Sequence, residues 1–344
     1  MRNLASFRII DDIQPILGAD FIETASIGGW KVVVRKGDFK PNDICVYFEI
    51  DSFLPVRPWS EFLLKRESLK DLIVDGMVLQ GIRLHTIKLK KQISQGLALP
   101  LSAFPELDIS AIKNGDETDL TEKLGVCLYE KPIPPQLAGE IKGKFPHFIP
   151  KTDEERIQNL PEYLKIFADK DFFITEKLDG TSVTFAKYDG ENIVCSRNIS
   201  LIENAQNLYW KMALLHLAKI PTNHAVQGEI IGLGVQGNPY LLNCNEFHAF
   251  NVFNISEQRY LTPDEFLEFC AIHDIPTVPI VHPKTKLSNW FDYDDHMESM
   301  LQGAQSISML NPGVQREGVV FRAYLPGEKV SFKVVSNKYL LEEK

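Results

Sequence analysis

The chain has 344 residues, 44% of them hydrophobic and 24% charged, ordinary globular values that exclude wholesale disorder and a collagen-like repeat. Its length exceeds the roughly 100–200 residues usual for one domain, so two cores are expected. Acidic residues outnumber basic ones 46 to 37, a net charge of −9, so any nucleic-acid contact has to be a local basic patch on an acidic body.

The first part reads as β. Trp30 to Arg35 is rich in β-branched residues and opens after Gly28-Gly29. Pro41-Asn42-Asp43 is a turn signal, followed by a second strand from Ile44 to Ile50. Short apolar runs at Met77 to Leu84 and Gly96 to Leu101 add further strands, and several short strands with turns predict a small barrel or sandwich. Cationic residues gather at Arg83, His85, Lys88, Lys90 and Lys91. They read either as a solvated strand edge or as a phosphate-tracking surface.

Prolines 132, 134, 135, 146 and 150, with Gly139 and Gly143, break regular elements. They place a linker over 131–151, between domains 1–130 and 152–344. Thr152 and Glu155 have capping-box spacing, with Asp153 and Glu154 suited to a helix N-terminus. Ile157, Leu160, Leu164 and Phe167 continue with a helical period, though Pro161 leaves two short helices open. Strands are expected over Phe172 to Thr175 and Thr181 to Lys187, with a loop from Glu176 to Gly180 between them. Helices are expected over Asn204 to Lys219 and Pro263 to His273.

The five cysteines (Cys45, Cys127, Cys195, Cys244, Cys270) are scattered, odd in number and without a C-x-x-C pair. A disulfide framework and a cysteine zinc site are therefore not expected. Reduced thiols in a cytoplasmic or similar reducing compartment fit. The first fifteen residues lack an apolar signal core, and no run approaches the 18 apolar residues of a membrane span.

The segment with chemical content is Glu176-Lys177-Leu178-Asp179-Gly180, a lysine in a turn between two apolar strands. An ordinary lysine is only roughly 0.04% free amine at pH 7; burial or a neighbouring cation removes that penalty and yields a nucleophile. K-x-D-G alone is weak, since a surface turn also favours Asp-Gly. It is followed in order by Ser196-Arg197-Asn198, Gln227-Gly228-Glu229, Phe247 to Phe253, Arg316-Glu317-Gly318 and Ser331-Phe332-Lys333. Several of these polar residues interrupt or border strand-like runs. Each alone reads best as an outward-facing side chain.

Together and in this order they resemble the covalent nucleotidyltransferases: ATP-dependent DNA and RNA ligases and mRNA capping enzymes. Lys177 matches the motif I nucleophile, Arg197 motif Ia, Glu229 motif III, Phe250 the aromatic of motif IIIa, Glu317 motif IV and Lys333 motif V. Gly29 to Pro55 and Pro150 to Asn159 look like the ATP-dependent RNA ligases of the Deinococcus and Naegleria type, so the resemblance covers nearly the whole chain. It implies an α+β protein, an N-terminal OB-fold barrel followed by an antiparallel-sheet adenylyltransferase domain. Two positions depart from the family: Val335 stands where many ligases have a second motif V lysine (Lys329 or Lys338 could compensate), and Ser182 stands where some relatives have asparagine.

The resemblance implies three steps: Lys177 attacks the α-phosphorus of ATP, AMP passes to an RNA 5′-phosphate, and a 3′-hydroxyl displaces AMP. Mg²⁺ or Mn²⁺ is implied, held by Asp179 and Glu317 through water. Glu229 would bind the ribose, Phe250 would stack on adenine, and Arg156, Arg197 and Lys333 would hold phosphate. Glu176 is expected beside the nucleotide. In the barrel, Trp30, Tyr47, Phe48 and the Lys88 to Lys91 run are candidates for RNA contact. The expected partner is RNA, or an RNA-containing duplex with 3′-OH and 5′-phosphate ends, sealed by a monomer in RNA repair. Rival readings are a DNA ligase, a capping enzyme or a non-catalytic RNA-binding protein. Only 11 residues follow Lys333, too few for the OB module that DNA ligases and capping enzymes usually place after this domain.

Overall fold

In the computed structural model, residues 2–74, 77–107, 119–130, 139–292, 295–325 and 328–342 are described. The chain divides into two units, Met1–Pro132 and Ile133–Lys344.

The first unit is built from short antiparallel strands: β1 (Ala5–Ile9), β2 (Asp12–Pro15), β3 (Ile22–Ile27), β4 (Trp30–Arg35), β5 (Ile44–Phe48), β6 (Ser52–Pro55), β7 (Lys70–Val74), β8 (Met77–Arg83), β9 (Ile87–Leu89), β10 (Gln92–Ser94), β11 (Leu97–Pro100) and β12 (Cys127–Leu128). They pair in the orders β1-β5-β11, β2-β3-β4, β9-β10 and β12-β6-β8-β7. Trp30, Val32 and Val34 alternate inward along β4, the period that lets a half-buried strand cover a core. The pairing of Ile27 with Trp30 leaves Gly28-Gly29 as a two-residue hairpin turn, the connection that matches strand twist.

Trp30, Tyr47 and Phe48 do not form an RNA-contacting face. They are 2%, 0% and 0% exposed: Trp30 and Tyr47 lie in one core cluster and Phe48 in another, with Phe48 stacked on Trp59. A strand must turn half its side chains inward, and apolar bulk decides which. The basic run stays outside. Lys88, Lys90 and Lys91 are exposed, with Lys90 and Lys91 forming the two-residue tip of the β9–β10 hairpin.

The second unit comprises β13 (Ile141–Lys144), β14 (Asp171–Lys177), β15 (Thr181–Tyr188), β16 (Glu191–Cys195), β17 (Ile199–Leu201), β18 (His224–Ile231), β19 (Glu246–Asn254), β20 (Arg259–Tyr260), β21 (Ile280–Lys286), β22 (Gly318–Leu325) and β23 (Glu328–Val335). A seven-stranded sheet runs β13-β17-β16-β15-β18-β19-β20 and a four-stranded sheet runs β21-β14-β22-β23; the pairs are antiparallel. One core packs helices Leu208–His216 and Pro263–Ile272 against the larger sheet. Another packs helix His296–Ala304 against the smaller. The helix at Leu208 starts at its cap Asn207, whose side chain accepts from the Tyr209 N–H, and Thr262 and Glu265 form a full capping box at Pro263.

Two expectations are corrected. Of the stretch read as linker, 131–138 lies outside the described residues, but Ile141–Lys144 is an edge strand paired with β17. Phe145, Phe148 and Ile149 pack against Ala186, Ala225 and Phe253. Apolar side chains between the prolines bind this stretch to the second unit, because burying them outweighs the lost regularity. Thr152 and Glu155 form no capping box: Thr152 Oγ1 meets Ser182 Oγ at 3.3 Å, and helical structure begins only at Ile157–Asn159 and Pro161–Ile166. Pro161, unable to donate within a helix, starts the second piece.

Candidate active site

Lys177 ends β14, where it pairs across with Gly318 at the start of β22. A Cβ at Gly318 would lie 2.2 Å from the Val334 carbonyl oxygen, so only glycine lets β22 and β23 close at this point. Glu317, just before that glycine, is fixed from both sides. Its carbonyl accepts from the Ser336 N–H at 2.8 Å, and its neighbour Arg316 donates to Ala304 O and Gly303 O at the end of helix His296–Ala304. The result is an ion pair of 2.7 Å between Lys177 Nζ and Glu317 Oε1, with side chains 28% and 15% exposed. Burial alone would depress the Lys177 pKa, but Glu317, Glu229 and Asp179 outweigh it and hold the amine above the ordinary lysine value. The carboxylates, not burial, decide the charge of Lys177 in the ligand-free protein.

Glu229 lies on β18 opposite Ser182 of β15. Gly180 lets the K-x-D-G loop rest on it, since a Cβ there would meet Ile230 O at 2.5 Å and Glu229 Cγ at 2.7 Å. Burial pushes the Glu229 carboxyl up to about 8, against the pull of Lys177 and with the repulsion of Glu317 and Asp179. Asp179 is oriented by its own backbone N–H, which donates to the Tyr240 hydroxyl at 2.7 Å.

The cations lie on the other flank. Lys329, Ser331 and Lys333 share one face of β23 by strand alternation, and the segment from Asp153 to Arg156 lies along that face. Lys333 N donates to Glu155 O at 2.8 Å, and Arg156 and Lys333 form a parallel bridge. Glu154 is paired with Lys329 (3.3 Å) and Arg322 (3.7 Å) and accepts from Ser331. Asp153 bridges Arg197 (2.9 Å) and Lys333 (3.4 Å). Burial, with Arg156, Lys177 and Arg197 nearby, lowers Lys333 to about 8, which Asp153 partly opposes.

Phe250 sits in a bulge of β19: the β18–β19 register shifts between Gln227 and Gly228, whose partners are Asn251 and Ala249, leaving Phe250 as the extra residue, which re-aims its side chain. It packs beside Leu178, Ile231, Tyr240 and Val278, with the Arg322 guanidinium 5.6 Å from its ring centre.

Lys177, Asp179, Glu229 and Glu317 thus share one electrostatic cluster, and Arg156, Arg197 and Lys333 flank it. The carboxylate of Glu176 faces elsewhere. Its two oxygens accept from Ser308 Oγ at 2.5 Å and Met309 N at 2.8 Å, so it fastens the 306–310 segment instead of contacting a nucleotide through its side chain. Val335 is buried at 2%, and Lys329 is held by Glu154 and lies 4.2 Å from the Tyr260 ring centre. Sequence reasoning did not single out Tyr240, Arg322 or the pairings of Asp153 and Glu154. The only hint was the density of charge between Lys151 and Arg156.

Comparison with known proteins gives the family of the fold. Residues 4–101 match an OB-fold domain model and residues 170–335 match an RNA ligase model. No curated protein matches. Among solved structures, an apo variant of the Naegleria gruberi RNA ligase is 38% identical, with 99% of this chain and 98% of that chain covered and a TM-score of 0.86. A variant of the same ligase with AMP and Mn is 39% identical, with 98% of each chain covered and a TM-score of 0.85. The ligase with PPi is 39% identical, with 99% and 98% covered and a TM-score of 0.84. The fold and site define an OB-fold module followed by a ligase-type nucleotidyltransferase domain. The chain belongs to the RNA ligase family.

Proposed function

We propose that this RNA ligase uses ATP and a divalent cation to join an RNA 3′-OH to a 5′-phosphate end through AMP carried on Lys177. Variants of the Naegleria ligase solved with ATP and Mn, and with AMP and Mn, support the cofactors. The observation that carries the reading is the 2.7 Å contact of Lys177 with Glu317 inside a carboxylate cluster flanked by Lys333, Arg156 and Arg197.

Attack by Lys177 forms an N–P bond to the α-phosphorus and breaks the P–O bond to the β-phosphate, releasing pyrophosphate. The amine must first give up to solvent the proton that Glu317, with Asp179, holds on it. The donor set fits a hard cation. It is carboxylate, and Asp179 and Glu317 would hold Mg²⁺ or Mn²⁺ through its retained waters. When bound, the cation supplies positive charge that offsets those carboxylates and the charge developing on phosphate. Arg156, Arg197 and Lys333 orient and neutralise the phosphates, Phe250 stacks on adenine, and Glu229 accepts from the ribose hydroxyls. The exposed Lys88, Lys90 and Lys91 meet the RNA backbone. The substrate is a nick in a duplex, as in RNA repair.

The test is incubation with α-labelled ATP and Mg²⁺ or Mn²⁺, denaturing electrophoresis, then sealing of nicked duplexes with RNA or DNA on each side. Label on the wild-type chain that vanishes in Lys177→Ala supports the proposal. Label that persists in that variant overturns it.

A further inference from the structure

The segment before Arg156 is fastened to β23 at nearly every point. The Glu155 carbonyl accepts from the Lys333 N–H, Arg156 bridges to Lys333, and Glu154 is clamped by Lys329, Arg322 and Ser331. Asp153 differs. Its side chain is 54% exposed, and its two oxygens reach two cations that belong to separate elements: Oδ2 to Arg197 at 2.9 Å and Oδ1 to Lys333 at 3.4 Å. Rotation about its own side-chain bonds releases both contacts without unfastening the segment. A carboxylate and a phosphate seek the same donors in the same geometry. Arg197 and Lys333 are also the cations that, on the reading above, hold the phosphates of ATP.

We infer that Asp153 is a resident anion in the phosphate seat, its carboxylate filling the space between Arg197 and Lys333 that a ligand phosphate takes. Phosphate-bearing ligands then bind in competition with a tethered carboxylate, which returns to the cations when the seat empties. The competition bears most on pyrophosphate, which has only its phosphates to hold it. Covalent AMP stays on Lys177, whereas the leaving group meets a neighbour always at high effective concentration. Asp153 thereby favours release of pyrophosphate and opposes its re-attack on the lysyl-AMP bond. Part-exposed ion pairs of this kind are weak, so two of them correspond to a factor of about three to ten in affinity.

The experiment measures binding of inorganic pyrophosphate to the full-length, ATP-free protein by calorimetry, for wild type, Asp153→Asn, Asp153→Ala and Asp153→Glu. It is run at pH 6.5, below the value near 8 of Lys333, and thermal unfolding checks that each variant is folded. Asn and Ala are expected to bind pyrophosphate about three- to tenfold tighter, and Glu, which keeps the carboxylate, to stay near wild type. Pyrophosphate should inhibit lysyl-AMP formation by the Asn variant at correspondingly lower concentration. Unchanged or weaker binding in both Asn and Ala overturns the inference and makes Asp153 an organiser of the cations. Failure of the ligase reading itself shows separately, as absence of lysyl-AMP in the wild type.

Discussion

Replacing Glu317 with glutamine keeps the shape of the side chain and removes its charge from a position 2.7 Å from Lys177 Nζ. A hydrogen bond to a charged group contributes about 1.5–3 kcal/mol, and about 1.4 kcal/mol is one decade in a protonation equilibrium. Glutamine still offers a carbonyl oxygen, and Glu229 and Asp179 remain, so the lower end applies. Glu317→Gln should raise the free-amine fraction of Lys177 about tenfold at fixed pH. The assay treats the ATP-free protein at pH 8 with a limiting amine-reactive reagent and quantifies the Lys177 peptide by mass spectrometry, with exposed Lys142 as internal reference. The same variant should form lysyl-AMP far more slowly, because on the proposed function it loses a carboxylate that seats the cation. A more reactive amine in a less active enzyme separates the two roles of Glu317. Equal reactivity of Lys177 in folded wild type and variant would refute the claim that this carboxylate holds the proton.

Three further outcomes are expected. The Glu229 carboxyl, raised from an unfolded value near 4.5 to about 8, keeps its proton in the folded chain while the unfolded chain loses it. Its stabilisation is thus present below about pH 4.5 and lost as pH rises to 8; Glu229→Gln should gain on wild type in thermal midpoint across that window, with a ceiling of about 5 kcal/mol. Gly318→Ala sets a methyl against the Val334 carbonyl at 2.2 Å and Val335 Cα at 2.9 Å, backbone atoms that cannot move cheaply. It should lose about 1–3 kcal/mol of stability, and lysyl-AMP formation with it, in unfolding and labelling assays. Lys90 and Lys91 hold φ of 48° and 68° at a hairpin tip, where Asn-Gly fits without strain. The double change Lys90→Asn, Lys91→Gly should stabilise the first unit by about 1 kcal/mol in denaturant unfolding while weakening RNA binding and its salt dependence.

The order of charged residues along the chain carried the resemblance that marked Lys177, Asp179, Glu229 and Glu317 as candidates, and apolar runs revealed the strands around them locally. The helices expected over Asn204 to Lys219 and Pro263 to His273 form over Leu208–His216 and Pro263–Ile272. Which side of a strand faces the core was not. Trp30, Tyr47 and Phe48 read equally well as a binding face until the barrel closed over them, since alternation fixes two faces but not which is inside. Glu176 beside the nucleophile looked like a ligand until Ser308 and Met309, more than 130 residues away, claimed its oxygens. The charge state of Lys177, the fastening of 153–156 to β23 and the double pairing of Asp153 likewise belong to tertiary structure. Coulomb energy depends on separation in space, and only the packing of the two sheets brings these distant stretches within a few ångströms.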